Sequence, residues 1–216
     1  MSTSQTTQVS MRSIGTKVVP RYNVVLRLGM AFFIIKGVFM FLETKRLFIR
    51  DLTYQDLDAL YDYAKRPMIG PMAGWQPHHD RSESKLVLEW MITSKEVFAI
   101  TPKETNQLIG TIGLHVRKKE HERFQIRELG YALSNDYWGV GIMPEAVKAI
   151  IKYGFETMDL KKIIVGHMVS NVQSKRVIEK CGFIHTHHEY RDHLGEQKVI
   201  QMYAIERETY GKNISV

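Results

Sequence analysis

Gly130-Tyr-Ala-Leu-Ser-Asn-Asp-Tyr-Trp-Gly-Val-Gly-Ile-Met-Pro-Glu-Ala146 is the stretch that decides how this chain is read. Its first part is a strand, because Leu129, Tyr131 and Leu133 alternate with smaller residues and follow Glu128. Ser134, Asn135 and Asp136 then break the alternation, as turn residues do. Beyond two glycines and Pro144, apolar residues return at helical spacing: Ala146, Val147, Ile150, Ile151, Gly154 and Phe155. Pro144 suits a first helical turn, where a missing N–H costs nothing. A strand therefore passes through a tight, glycine-containing turn into a helix start. Such a turn leaves several backbone N–H groups unpaired and aimed at one point, with the positive end of the helix dipole behind them. That is a site for phosphate oxygens. Gly139-Val140-Gly141 is not the dinucleotide fingerprint, since Pro144 stands where its third glycine belongs, and no P-loop pattern is present. Taken alone, the glycine pair fits a tight turn without any ligand equally well.

The 216 residues suit one domain, or one domain with an appendage, and 44% hydrophobic with 25% charged residues is a globular composition. The single Cys181 can form no internal disulfide, which favours a reducing cytoplasm. A net charge of +7 suggests a nucleic-acid partner until its location is considered. Residues 1–42 hold Arg12, Lys17, Arg21, Arg27 and Lys36 and no acidic side chain, so most of the excess lies there. Nucleic acid is therefore not an expected partner. Residues 1–22 are rich in Ser, Thr and Gln and are expected to be disordered. Residues 23–42 are apolar, but Arg27 and Lys36 interrupt them, whereas a spanning helix needs about 20 mostly apolar residues. No small-residue cleavage site follows. The favoured reading is a leader, residues 1–42, outside the fold, with Met40 a plausible true start; a membrane-contacting segment is the alternative.

From Lys45 the chain is orderly. Arg46–Arg50 is a strand, and Thr53 caps a helix whose stripe is Leu57, Leu60, Tyr61 and Ala64. Residues 66–81 form a loop long enough to suggest a functional role. A second helix opens at Ser82 or Ser84, with Leu86, Val87, Trp90 and Met91 expected on its inner face. Strands follow at 97–101 and 108–116, then a charged hairpin tip from Arg117 to Arg123. After the organising strand and helix come a strand at Ile163–Met168, a helix at Asn171–Cys181 closed by Gly182, and two strands around Leu194-Gly195. The order β-α-α-β-β-β-α-β-α-β-β is an α/β class, a mixed sheet covered by helices.

That order, the Gly-x-Gly turn and Asn171-Val-Gln-Ser-Lys-Arg-Val-Ile-Glu-Lys-Cys-Gly-Phe183 together resemble the GNAT acetyltransferase superfamily. Within it they look like the branch of ribosomal-protein N-terminal (alanine/serine) acetyltransferases. Glu43-Thr-Lys-Arg-Leu47, Ala73-Gly-Trp-Gln-Pro77 and Leu129-Gly-Tyr131 add to the resemblance, which covers about residues 40–208. The domain is accordingly set at 43–208, with a tail at 209–216. The resemblance implies a GNAT-type mixed, mostly antiparallel sheet flanked by helices. It also implies acetyl-CoA as cosubstrate, with its pyrophosphate on the turn before the long helix. The family pattern Gln/Arg-x-x-Gly-x-Gly/Ala falls on Trp138–Met143, where Gly141 matches while Trp138 and Met143 depart. The implied donors are the backbone N–H groups of Trp138, Gly139, Val140, Gly141, Ile142 and Met143, so these departures are expected to matter little. Tyr131 and Leu133 are counted with the cofactor contacts, although Tyr131 could simply pack. By the same resemblance Asn171 bonds the pantetheine arm, and Ser174 lies near the sulfur as donor to the leaving thiolate. A plain N-cap would also explain Asn171. Many family members use a tyrosine four residues beyond Ser174; here that residue is Ile178, leaving Ser174 or no side-chain acid. Lys175 and Arg176 either meet a 3′-phosphate or form a solvated basic face.

Acetyl transfer needs a neutral amine, yet a lysine side chain titrates near ~10.4 and an α-amine near ~7.7–8.0, so a proton must leave. Glu128 is the first base candidate; the competing reading pairs it with Arg127 or a lysine. His115 and His167 are read as core or edge histidines. Trp75, His78 and His79 are candidate acceptor contacts. His185, His187, His188 and His193 suggest zinc, but His188 faces away from His185 and His187 and nothing completes a ligand set, so no metal is expected. The reading is an acetyl-CoA-dependent N-acetyltransferase acting on a primary amine, either a protein N-terminus or a small molecule. Transfer is expected to be direct in a ternary complex, with Cys181 only packing. A non-catalytic acyl-CoA-binding sensor module is the alternative. The protein is expected in the cytoplasm, off the membrane, as a monomer or homodimer.

Overall fold

Leu129 and Leu133 on one strand, and Met143, Ala146, Val147, Ile150, Ile151 and Phe155 along one side of a helix, are buried against each other in a single cluster. The computed structural model describes residues 22–28, 31–37, 40–117 and 123–210. Eight strands form one sheet in the order β3-β4-β5-β6-β7-β8-β10-β9. They are β3 (Phe41–Glu43), β4 (Leu47–Asp51), β5 (Val97–Pro102), β6 (Gly110–His115), β7 (Ile126–Leu133), β8 (Lys162–Met168), β9 (Ile184–His193) and β10 (Glu196–Glu206). Every neighbouring pair is antiparallel except β7 and β8. One face carries α1 (Leu57–Ala64), α2 (Gly70–Ala73) and α3 (Arg81–Ser94), packed through Leu60, Tyr63, Ile69 and Leu88. The other carries α4 (Ile142–Glu156) and α5 (Val172–Lys180). A last turn, α6 (Arg207–Tyr210), sets Tyr210 against Phe155 with ring centroids 5.1 Å apart. The backbone of β1 (Tyr22–Leu28) and β2 (Ala31–Gly37) forms a separate antiparallel ribbon.

The mixed, mostly antiparallel α/β architecture and the order of its main elements are those expected. Some boundaries differ. Leu42 and Met40 are buried and Phe41–Glu43 joins the sheet, so the fold starts near Met40 rather than at 43. It also runs through Tyr210 rather than ending at 208. The disorder expected of residues 1–22 falls, apart from Tyr22, outside the described residues, as do residues 118–122 of the charged tip and 211–216 of the tail. The inner stripe of α3 is displaced: Ser84 and Leu88 are buried while Leu86 and Trp90 are exposed. Ser84 earns its inward place by bonding His78, which a search for apolar spacing passes over. Among the described residues no helix is long and apolar enough to cross a membrane.

Buried Asp56 fixes the start of α1. It accepts from Arg50 at 2.8 and 2.9 Å and from the Thr53 amide at 2.8 Å. Burial alone would raise its pKa, but Arg50 and Thr53 outweigh it and hold the carboxyl below its usual value. The stabilisation is therefore present above the unfolded carboxylate pKa and is lost as pH falls through the folded one. Asp56→Asn is expected to cost about 1–3 kcal/mol at neutral pH. That deficit should shrink below a pH of about 3.9, which urea unfolding across the acid range would read.

What positions the site is the partnership of β7 with β8. Only Ile126, Arg127 and Glu128 pair with β8, opposite Lys162, Ile163 and Ile164. Beyond Glu128, β7 stays with β6 as far as Leu133, and β8 stays with β10 as far as Met168. The two central strands part, and a fork opens in the middle of the sheet.

Candidate active site

A short 3-10 turn, Asn135–Tyr137, leads out of β7, and the Trp138 amide closes it by donating to Asn135 O at 3.2 Å. The Trp138 indole donates back to Leu133 O at 2.9 Å, tying the turn to the strand end. Gly139 and Gly141 follow at φ 78° and 79°, a left-handed backbone that disfavours any side chain. α4 then begins, with Glu145 the first residue to bond back, to Gly141 O. Among the described residues the amides of Gly139, Val140, Gly141, Ile142 and Met143 donate to no protein group. Five of the six expected donors are thus free. The Trp138 amide is not, because it is spent inside the turn. The Trp138 side chain packs against both cores and donates to Leu133 O.

The turn is braced from 99 residues away. Arg46 donates from Nε to Glu145 Oε2 at 2.7 Å and from Nη1 to Val140 O at 2.9 Å, and Thr44 Oγ1 donates to Glu145 Oε1 at 2.6 Å. Thr44 and Arg46 hold the Glu145 carboxyl below its usual pKa against the opposing effect of burial. Thr44-Lys-Arg46 is therefore the clamp on the head of α4. Val140 itself is exposed, with its carbonyl facing that clamp.

A cavity of about 550 Å³ runs from this turn to the fork. Its walls are Tyr131 and Leu133 of β7, then Trp138, Gly139, Gly141, Ile142 and Met143, then Asn171, which caps α5, and Ser174 and Arg176 within α5. Met68 and Met72 close it from the α2 side. The Tyr131 and Ser174 hydroxyls lie 2.8 Å apart, and either can donate. Burial raises the Tyr131 pKa well above its ordinary value, outweighing the Ser174 bond. Asn171 accepts from the Ser174 amide at 3.0 Å, as an N-cap, and its Nδ2 donates to Met72 O at 3.2 Å. The cap reading therefore accounts for its amide, which also pins α2 to α5. His193 holds the other side of α2 through Pro71 O at 2.6 Å. Asn171→Ala should cost about 0.5–2 kcal/mol of stability through the lost cap. A lower Tm in thermal denaturation checks this.

The three proposed acceptor contacts are not on this wall. Trp75 covers Gly70 so closely that a Cβ there would lie 2.7 Å from its ring. His78 is buried with Nδ1 2.7 Å from Ser84 Oγ, and burial lowers its pKa. The exposed His79 uses its amide to bond Glu83. The loop doubles back at α2, so Met68 and Met72 reach the cavity while residues 75–79 strap α1 to α3.

Glu128 is buried and faces away from Tyr131, since strand residues of opposite parity face opposite sides. Arg191 engages both its oxygens, at 2.7 and 3.3 Å, and Arg191 also pairs with Glu189. The carboxylate expected to act as a free base is therefore committed, and its partner is neither Arg127 nor a lysine. The bulge at Thr186 puts His185 opposite Tyr203 and His187 opposite Met202, hence on opposite faces. Among the described residues no group of three His, Cys, Asp or Glu is placed to hold a metal. Cys181 is buried, bonds Pro144 O at 3.6 Å and has its pKa pushed up to about 11 by burial.

Comparison with known proteins identifies the family. The family model described as the acetyltransferase (GNAT) domain matches residues 46–184. An uncharacterised N-acetyltransferase, p20, of Bacillus licheniformis is 30% identical over 148 residues, 66% of this chain and 81% of its own. A GNAT-family acetyltransferase structure from Bacillus anthracis superposes with a TM-score of 0.71 at 26% identity, covering 78% of this chain and 99% of that one. Spermidine N-acetyltransferase from Vibrio cholerae, solved with CoA and spermine, shares the fold with a TM-score of 0.67 at 19% identity, covering 77% of this chain and 99% of that one.

Proposed function

The chain belongs to the GNAT acetyltransferase family as an N-acetyltransferase, and from that premise we propose that it moves the acetyl group of acetyl-CoA to a primary amine by direct transfer in a ternary complex. One observation carries the reading: of five unpaired amides at the head of α4, four belong to residues lining a cavity that ends at a hydroxyl pair in the forked sheet. The amides of Gly139–Met143 receive the pyrophosphate, each contact being worth ~0.3–1 kcal/mol and more where partly buried. Arg176 and Lys180 on the same wall offer positive charge to a further phosphate. The edge of β7 beyond Glu128, free of β8, offers backbone groups to the pantetheine arm.

At the fork the Tyr131–Ser174 pair donates a proton to the sulfur as the C–S bond breaks. Two residues thus supply what a helix tyrosine at the Ile178 position would have done. The acceptor amine reaches the thioester from the α1/α3 face of the sheet, where Glu128 holds a negative charge close to the fork. Cys181, protonated and bonded to a carbonyl, is unsuited to carry an acetyl group, which supports direct transfer. A protein N-terminus or a small amine is the acceptor class, and the cytoplasm the expected compartment. The test is CoA release from acetyl-CoA with and without a panel of primary amines. Amine-dependent release above the hydrolytic background supports transfer; tight binding with no amine dependence would leave a sensor.

A further inference from the structure

We propose that His115, positioned by Glu96, is the group that takes the proton from the acceptor amine, an assignment that rests on the acetyl-transfer reading above. His115 ends β6 directly opposite Glu128, the last β7 residue still paired with β8. It therefore stands at the apex of the fork on the acceptor face. Two glycines on that face make room for its ring. A Cβ on Gly130, or on Gly113, would lie 3.0 Å from His115 Nε2. The imidazole thus lies over the first open part of β7, on the face opposite to Tyr131, where a side chain on either glycine would displace it.

The two ring nitrogens have different environments. Nδ1 lies 3.3 Å from Glu96 Oε2, and a carboxylate accepts, so Nδ1 carries the hydrogen. Nε2 then presents its lone pair and makes no hydrogen bond among the described residues. Glu96 is itself fixed, since its Oε1 accepts from the Val116 amide at 3.2 Å and its carbonyl from Leu114 at 3.0 Å. Burial lowers the His115 pKa with help from Arg117, against the opposing pull of Glu96 and Glu128. The ring is therefore neutral at pH 7 and able to accept a proton. Glu128, with both oxygens on Arg191, serves instead as the anion that the ammonium faces.

The step balances as follows. The ammonium gives one proton to Nε2, and the freed nitrogen lone pair attacks the thioester carbonyl carbon. The C–S bond breaks, the nitrogen loses its second proton to water, and the Tyr131–Ser174 pair protonates the thiolate. His115 returns its proton to solvent, and the hydroxyl pair is reprotonated from it. One net proton is released for each amide and CoA thiol formed.

The parent enzyme is first assayed for CoA release with a panel of primary amines, and the fastest is carried forward. Absence of amine-dependent release at this stage would overturn the acetyl-transfer reading itself. In the active parent, kcat/KM for the amine should rise with pH through a limb matching the midpoint of the His115 Cε1 proton signal in NMR. His115→Gln should lower kcat/KM by about 10²–10³-fold at pH 7, abolish that limb and leave KM for acetyl-CoA unchanged. Glu96→Gln should shift the limb and the NMR midpoint together, whereas Glu128→Gln should keep the limb. A folded His115→Gln enzyme that follows the parent profile would overturn the proposal. So would a kinetic limb and NMR midpoint that disagree in the parent, a comparison that needs no variant to fold.

Discussion

Gly141→Val is expected to weaken acetyl-CoA binding by about 10- to 100-fold while leaving the protein folded. Gly141 sits at φ 79° as the cap of α4, between amides that find no partner in the protein. A β-branched residue in that region costs about 1–3 kcal/mol, and every 1.4 kcal/mol is about a factor of ten in affinity. The space beside Gly141 is not crowded; the nearest atom to a Cβ there is Arg46 Nη2 at 3.5 Å. Strain will therefore be relieved by rotating the turn, and rotation takes the free amides off their common target. Calorimetry on the folded variant reads the loss. Unchanged affinity would mean that the pyrophosphate does not lie on this turn.

The double variant Tyr131→Phe with Ser174→Ala should lower kcat by about 10²-fold, the lower end of what proton transfer usually contributes. The modest size follows from the leaving group, since a thiolate departs with little assistance. The single variants should each cost less, and their effects should not add, because one hydroxyl can partly replace the other across 2.8 Å. KM for acetyl-CoA should change little, because the proton is needed only as charge gathers on sulfur. Burial holds the phenol pKa above its ordinary value, so the donor stays protonated and kcat should show no alkaline limb below about pH 10. Single-turnover kinetics across pH checks both statements. A double variant with parental kcat would leave the departing thiolate without a side-chain donor.

The strand and helix order could be read from the chain because each element announces itself locally. Leu129, Tyr131 and Leu133 alternate, and Ala146, Val147, Ile150 and Ile151 recur at helical spacing. The tight turn before α4 was readable for the same reason, since its glycines and Pro144 are neighbours in sequence. The fork was not. Whether β7 keeps its pairing with β8 past Glu128 is decided across the sheet and leaves no mark in either strand. Partners distant in sequence were equally hidden: Arg46 for Glu145, Arg191 for Glu128, and Met72 for Asn171. The surroundings of His115, read from the sequence as a core or edge histidine, were hidden too, because only the folded sheet brings Gly113, Gly130 and Glu96 to one ring. For Trp75 and His78 the fold adds contacts that the long loop does not announce: the two rings lie 5.1 Å apart, and His78 bonds Ser84 of α3.

A crystal structure with acetyl-CoA bound tests the central claim most directly. The account predicts pyrophosphate oxygens within hydrogen-bonding distance of the Gly139–Met143 amides, the pantetheine arm along the free edge of β7, and the sulfur beside the Tyr131 and Ser174 hydroxyls. A pyrophosphate bound away from the head of α4, or a thioester that stops short of the fork, would contradict it.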